Sequence, residues 1–193
     1  MNVPIPDATA AEMIKYGQVT FESGLIYGNF GNLSTRRDGV VYITRSGAML
    51  GKLSKEDFVA VRGLSIPEEA SSDTPIHLSI YEKTNCGAIY HMHGDFTLVM
   101  SWIHDVVEPM DFAGSRFLGP VSVVEGVFGT PTLTDAIVKN LRTNAVIVRG
   151  HGSFTVGPDL RQAYIASCAL ETSCKLSFFE ELYQRRVLDQ TGG

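Results

Sequence analysis

Gly31–Gly47 reads GNLSTRRDGVVYITRSG. Two runs rich in Thr, Val, Tyr and Ile flank Asp38-Gly39, a strong signal for a two-residue hairpin turn. A hairpin joins antiparallel strands, so the sheet it enters is antiparallel or mixed. Elements of both types surround it. Upstream, Ala8 to Ser23 reads as a helix stopped by Gly24. Downstream, Ser54 caps a short turn and FVAVRG is a strand. The stretch RGLSIPEEASSDTP, Arg62 to Pro75, is a loop too short for a domain boundary. Thr74-Pro75 opens a helix that runs to about Lys83, with proline at its first position. GAIYHMH is a strand, followed by a helix from about Asp95 to His104. PVSVVE is a strand, and TLTDAIVKNLRT is a helix capped by Thr132 or Thr134. NAVIVRG and GSFTVG are strands on either side of His151. From Asp159 to about Val187 one long helix carries apolar residues at Ala163, Ile165, Ala166, Ala169, Leu170, Leu176, Phe178 and Phe179. Strands interleaved with helices imply a three-layer α/β/α fold: a central, mostly antiparallel or mixed sheet with helices on both faces.

The chain has 193 residues, 44% hydrophobic and 19% charged, which suits a single domain over 1–193. The net charge of −5 argues against nucleic acid or an anionic membrane as partner, because both favour a basic surface. A small anionic ligand stays open, since backbone amides alone can build a local anion site. No apolar run approaches the roughly 20 residues that span a bilayer. MNVPIPDATAAEM lacks the basic and apolar regions of a signal peptide. Cys86, Cys168 and Cys174 are widely spaced, and none sits in a CxxC. They read as reduced thiols of a cytoplasmic protein rather than a disulfide framework or a zinc-cysteine site.

Candidate chemistry gathers on histidine. In AIYHMHGDF, His91 and His93 are two residues apart on a strand, so they share a face with Ile89, while Tyr90 and Met92 point the other way. An isolated HxH is more often structural than functional. His151 changes the weighing. In VRGHGSF it follows an apolar strand, and the glycines beside it permit a tight turn at a strand end. Three imidazoles with a fourth position open make a catalytic zinc arrangement, able to polarise a substrate oxygen. His77 and His104 read as structural: the first on a helix, as surface or support, the second at a helix end facing the dipole. Asp73 is the carboxylate candidate, open between helix cap, metal ligand and base. Two loops look built for an anion. GNFGNLS brings Gly31 and Asn32, and TRSG brings Ser46 and Gly47. Ser71 and Ser72 stand beside Asp73 before a helix N-terminus, where negative charge is favoured. Each of these alone is more often a plain turn.

Taken in order, GNLSTR, ITRSG, SSDTPIHLSIY, HMH and RGHGSFTVG resemble the class II aldolase and adducin family, over nearly the whole chain. The resemblance implies an α/β/α fold assembled as a homotetramer of C4 symmetry, with sites near subunit interfaces. It implies a divalent ion, Zn2+ or alternatively Mn2+, Co2+ or Fe2+, on His91, His93 and His151. It implies a phosphate pocket of Gly31, Asn32, Ser46, Gly47, Ser71 and Ser72 for a small phosphorylated sugar. The acid residue after SS falls on Asp73, as base or as a further ligand. Family members include fuculose- and rhamnulose-phosphate aldolases, ribulose-phosphate 4-epimerases, methylthioribulose-phosphate dehydratases and decarboxylases.

The aldolases usually carry Glu after SS; SSDTP looks like the 4-epimerase version. Yet the second aspartate of the epimerases aligns near Ser115 or Arg116, with Asp111 fitting only after a shift. Their tyrosine-bearing tail is also absent. Tyr183 lies nearby, in a helical setting that leaves a buried or interface role at least as open as that of the proton donor. Arg45 replaces the usual proline of TPSG, either adding charge near a phosphate or pointing away. The expected function is a metal-dependent aldolase: it splits a short ketose phosphate into dihydroxyacetone phosphate and an aldehyde through a metal-held enediolate. The alternatives are a 4-epimerase, dehydratase or decarboxylase on the same site, and a non-catalytic adducin-like interaction domain. The three retained histidines speak against the last.

Overall fold

A computed structural model of the chain describes residues 4–63 and 65–191. Residues 1–3 of the amino-terminal stretch and Leu64 of the Arg62–Pro75 loop lie outside the described residues. Helix α1 (Asp7–Glu22) leads into strands β1 (Asn32–Arg37) and β2 (Val40–Thr44). Two 3-10 turns, Leu50–Lys52 and Lys55–Asp57, precede β3 (Phe58–Val61). Then come α2 (Thr74–Lys83), β4 (Ala88–Met92), α3 (Asp95–Ile103), β5 (Val106–Val107) and α4 (Phe112–Phe117). The chain continues with β6 (Val121–Val124), α5 (Pro131–Asn140), β7 (Ala145–Val148), β8 (Gly152–Gly157) and α6 (Leu160–Thr191).

The strands form one eight-stranded sheet in the order β3-β2-β1-β4-β8-β7-β6-β5. Every pairing is antiparallel except β6 with β7. The hairpin turns at Asp38, whose φ of 49° is the left-handed conformation that Asx residues tolerate, and at Gly39. The sheet is thus mixed and mostly antiparallel, with helices on both faces.

Side-chain alternation sorts the core. Ile43, Ile89, Val146 and Phe154 face α2 and α5, packing with Ile76, Ile80, Leu133 and Ile137. Leu33, Tyr42, Tyr90 and Met92 face the opposite way, toward Met13 of α1 and Leu160 and Ala163 of α6. Ala145 and Ile147 meet Met100 of α3 and Leu118 after α4. The period of two expected for AIYHM holds residue by residue.

The structure corrects several expectations. Helix α5 is capped by Thr130, whose hydroxyl accepts from the Leu133 amide at 3.4 Å, and not by Thr132 or Thr134. Pro131 takes the first helical position, where its missing N–H is harmless, so the cap falls one residue before it. The two-residue β5 and six-residue α4 carry too little periodicity to be read in the sequence. On α6, Ala163, Ala166, Ala169 and Leu170 are buried, whereas Leu176 is 43% and Phe179 50% exposed. Beyond Leu170 the apolar stripe is therefore only partly covered within one chain. His77 is not on a surface: it is fully buried. Among the described residues no helix is long and apolar enough to cross a membrane.

Candidate metal centre

Antiparallel pairing decides which chain ends meet. The start of β1, the end of β4 and the start of β8 share one end of the sheet: Asn32 pairs with His91, and His91 with Phe154. The end of β7 joins them, because Val148 pairs with Gly152 and the His151 turn closes between them. The Thr44–Gly47 segment and the approach to α2 come alongside, since the Ser46 amide donates to the Glu69 carbonyl at 2.9 Å and the Ser71 amide to the Thr44 carbonyl at 3.2 Å. Residues more than a hundred positions apart thus fall into one pocket.

The three histidines converge. One ring nitrogen from each of His91, His93 and His151 lies within 4.8 Å of the others. His91 is completely enclosed and its Nδ1 donates to the Ser153 carbonyl at 3.1 Å. A carbonyl only accepts, so Nδ1 holds the proton and Nε2 presents a lone pair. That Nε2 is 2.9 Å from His93 Nε2 and 3.7 Å from Asp73 Oδ2. His93 and His151 are half-buried. Three phenylalanines wall the cluster: Phe154 stacks on His91 at 4.4 Å, Phe128 on His151 at 5.0 Å, and Phe30 lies 5.6 Å from His93.

Burial sets the charge state. It drives His91 well below the ordinary imidazole range, helped by repulsion from His93 and His151. It lowers His93 to about 4, with a smaller push from His151. It lowers His151 as well, against the pull of Asp73. All three are neutral at pH 7, the state that offers a lone pair to a cation.

Asp73 lies at the N-terminus of α2, 5% exposed, but its side chain makes no cap hydrogen bond. Asn32 Nδ2 donates to its Oδ2 at 2.6 Å. Among the described residues, four of the six buried side-chain atoms without a hydrogen-bond partner belong to this region: Asn32 Oδ1, Asp73 Oδ1, His77 Nε2 and His151 Nε2. Leaving such a group unpaired costs about 1–3 kcal/mol. A part-buried, phenylalanine-lined pocket with neutral imidazoles and a spare carboxylate oxygen fits a divalent cation. His91, His93 and His151 would hold it, with Asp73 in reach of the same position.

Two glycines make room for this packing. A side chain at Gly31 would meet the His91 carbonyl at 2.6 Å, and Gly31 has a φ of 92°. A side chain at Gly152 would strike the Met92 carbonyl at 2.3 Å and both the His91 and His93 rings at 3.1 Å.

The anion-loop residues divide by exposure. Ser46, Gly47 and Ser72 are open to solvent, while Ser71 and Asn32 are buried. The Ser71 hydroxyl accepts from the Asp73 amide at 3.3 Å. Arg45 turns its Nε to the Glu56 carbonyl at 3.3 Å. A cavity of about 280 Å³ opens between Ser72 and Ser79 on one side and Phe128, Thr130 and Asp135 on the other. It runs from the serine loop to the ring that shields His151. Asp111 is elsewhere engaged, capping α4 through the Gly114 amide at 2.9 Å and accepting from the Ser173 hydroxyl. His104 ends α3 and bonds Glu181 at 2.6 Å. Tyr183 is 66% exposed on α6.

The sequence carries no reading of the aromatic wall, and of the two roles open for His77 burial leaves that of support, with its Nδ1 2.7 Å from the Ser34 hydroxyl. Phe154 carried one signal, its place in the strand next to His151. Its contact with His91 depends on the β4–β8 register.

Residues 11–178 match the family described as Class II Aldolase and Adducin N-terminal domain. An L-fuculose phosphate aldolase of Methanococcus vannielii is 31% identical over 170 residues, covering 86% of this chain and 93% of that protein. A 3-oxo-tetronate 4-phosphate decarboxylase of Pectobacterium atrosepticum is 32% identical over 180 residues, covering 87% and 83%. The crystal structure of L-fuculose-1-phosphate aldolase from Thermus thermophilus superposes with a TM-score of 0.87 at 30% identity, covering 91% of this chain and 95% of that one. Matched along most of its length in sequence and in fold, the chain belongs to the class II aldolase and adducin family.

Proposed function

We propose that this chain is a metal-dependent class II aldolase, a lyase that cleaves a short ketose phosphate into dihydroxyacetone phosphate and an aldehyde. The observation that carries the reading is the joint geometry of three neutral imidazoles within 4.8 Å and a buried carboxylate 3.7 Å from one of them. The similarity to aldolases named for L-fuculose phosphate supports the substrate class.

Held by His91, His93 and His151, Zn2+, or Mn2+, Co2+ or Fe2+ in its place, would supply Lewis-acid chemistry at the substrate carbonyl. The protein does the rest. Asn32 holds Asp73 Oδ2 at 2.6 Å, which leaves Oδ1 free to take the hydroxyl proton as the carbon–carbon bond breaks and to return it to the carbon released on the dihydroxyacetone phosphate side. Phe30, Phe128 and Phe154 keep water from the charge that develops. Ser46, Gly47, Ser71 and Ser72, with Gly31 and Asn32 beside them, receive the phosphate at the positive end of the α2 dipole. That anchor sets the distance from the phosphate to the reacting carbons. The cavity beyond Ser72 takes the remainder of the substrate chain. The exposed Trp102 and Phe112, 69% and 84% accessible, support self-association, and we assign a cytoplasmic homotetramer.

A decarboxylase acting on an oxo-acid phosphate is the second reading. It is favoured by the 32% identity to the Pectobacterium protein, and it uses the same histidines and phosphate loops. The 4-epimerase reading rests on Asp73 in SSDTP. Metal analysis of the purified protein and a screen of phosphorylated substrates test all three. Dihydroxyacetone phosphate released from a ketose 1-phosphate selects the aldolase. Carbon dioxide from an oxo-acid phosphate selects the decarboxylase, and interconversion of pentulose 5-phosphates without cleavage selects the epimerase. Purified protein without divalent metal, together with full activity in His91→Ala, would sink the metal-dependent readings.

A further inference from the structure

Two of the three histidines are not inside a strand. His93 follows the last β4–β8 pair, Met92 with Ser153, and precedes Gly94, the residue before α3. His151 sits in the turn between β7 and β8. Both are tied to α3, at its opposite ends.

At the N-terminal end, Gly94 brings no side-chain cap. The cap comes from α6 instead. Glu171 accepts from the Phe96 amide at 2.8 Å through one carboxylate oxygen, and from the Thr97 amide at 3.0 Å and the Thr97 hydroxyl at 2.7 Å through the other. These amides are among the donors a helix start leaves without intrahelical partners, and the carboxylate sits at the positive end of the helix dipole. The carboxylate packs so closely on the turn that a side chain at Gly94 would meet it at 2.2 Å.

At the C-terminal end, the Arg149 guanidinium donates to the carbonyls of Ser101 and His104. The Ser101 hydroxyl, fully buried, accepts from the Gly150 amide at 3.0 Å while donating to the Leu98 carbonyl at 2.6 Å. Arg149 and Gly150 are the residues immediately before His151. An anionic group at the start of α3 and a cationic group at its end both match the helix dipole. The cationic end adjoins His151, and the anionic end holds the turn three and four residues past His93.

We infer that α3 is a strut that sets the spacing of His93 and His151, and that Glu171 and Ser101 are positioning residues for metal binding. The inference rests on the reading of His91, His93 and His151 as the ligands. His91 is held by the sheet itself, paired with both Asn32 and Phe154. His93 and His151 lie just past paired residues, His151 with its amide on the Val148 carbonyl at 3.0 Å, and α3 braces both from its two ends. Groups that hydrogen-bond a metal ligand directly contribute about 10–100-fold in metal affinity; Glu171 and Ser101 act on the histidines through the intervening backbone, so the low end applies.

The test uses Co2+, whose visible absorption reports ligand geometry, added to metal-free full-length protein. Affinity and spectrum are compared among wild type, Glu171→Gln and Ser101→Ala. Both variants bind Co2+ more weakly than wild type, by about 10-fold, with shifted bands, well below their unfolding temperatures. If Glu171→Gln does not fold, Ser101→Ala carries the same readout. A residue that only stabilises the fold lowers the unfolding temperature and leaves Co2+ affinity and spectrum unchanged. That outcome in the folded variants overturns the strut. Wild-type protein that takes up no Co2+ overturns the metal reading of the site, and with it the role given to α3.

Discussion

Asp73 and His91 are 3.7 Å apart, and substitution separates the roles proposed for them. Asp73→Asn keeps the Asn32 contact available and removes the proton acceptor. We expect kcat to fall by about 10²–10⁴-fold while bound metal, measured by atomic emission, stays near wild type. Loss of metal in that variant would instead make Asp73 a ligand. Gly152→Ala places a methyl group 2.3 Å from the Met92 carbonyl and 3.1 Å from two histidine rings. It should lower metal content and thermal stability together, the first by equilibrium dialysis and the second by calorimetry. His77 gives the pH dependence. Burial holds it at about 3, against the ordinary imidazole value near 6.5. As pH falls, the unfolded chain takes the proton first. The stability His77 contributes is therefore complete above about pH 6.5 and is lost toward pH 3, at roughly 1.4 kcal/mol per pH unit. Urea titrations of metal-free protein at pH 7 and pH 5 should show a smaller loss in His77→Gln than in wild type.

The elements show why parts of the fold were legible. Asp38-Gly39 determines its hairpin through local backbone preference, and AIYHM sorts its side chains by strand period alone. Both signals are complete within a few residues. The α5 cap was misplaced because three threonines crowd Thr130–Thr134, and the fixed φ of Pro131 chooses among them. Thr130→Ala should cost about 0.5–1 kcal/mol in urea unfolding, at the low end of cap values because the hydroxyl–amide distance is 3.4 Å. Metal affinity should not change, since α5 carries none of the three histidines. Strand β5 and helix α4 escaped notice because elements of two and six residues hold no readable period. What forms them is their packing: Val107 and Leu118 are buried in the cluster with Met100 and Leu170.

At the scale of the molecule, the site is a product of strand order. β1, β4, β8 and β7 are neighbours in the sheet, so Asn32, His91, Ser153 and His151 meet at one end of it. A cation bound there stabilises the folded chain by mass action, because the unfolded chain has no such cluster. Saturation at a thousand times the dissociation constant is worth about 4 kcal/mol. Removing the metal with a chelator should lower the melting temperature by roughly 10 °C in a chain of this size, and His91→Ala should abolish that shift. The sequence by itself determined the hairpin, the amphipathic faces, the three candidate histidines and the family motifs. These are written in local spacing: a period of two along a strand, a turn dipeptide, a glycine beside a histidine. Only the tertiary structure decided which imidazoles share a pocket, that Asn32 holds Asp73, that Phe154 covers His91, and that one helix is tied to the segments carrying the other two histidines. Apart from the His91–His93 pair, those relations join residues from 41 positions apart, for Asn32 and Asp73, to 75 apart, for Phe96 and Glu171. Distances of that kind are set by sheet register and layer packing, which single-chain spacing does not encode.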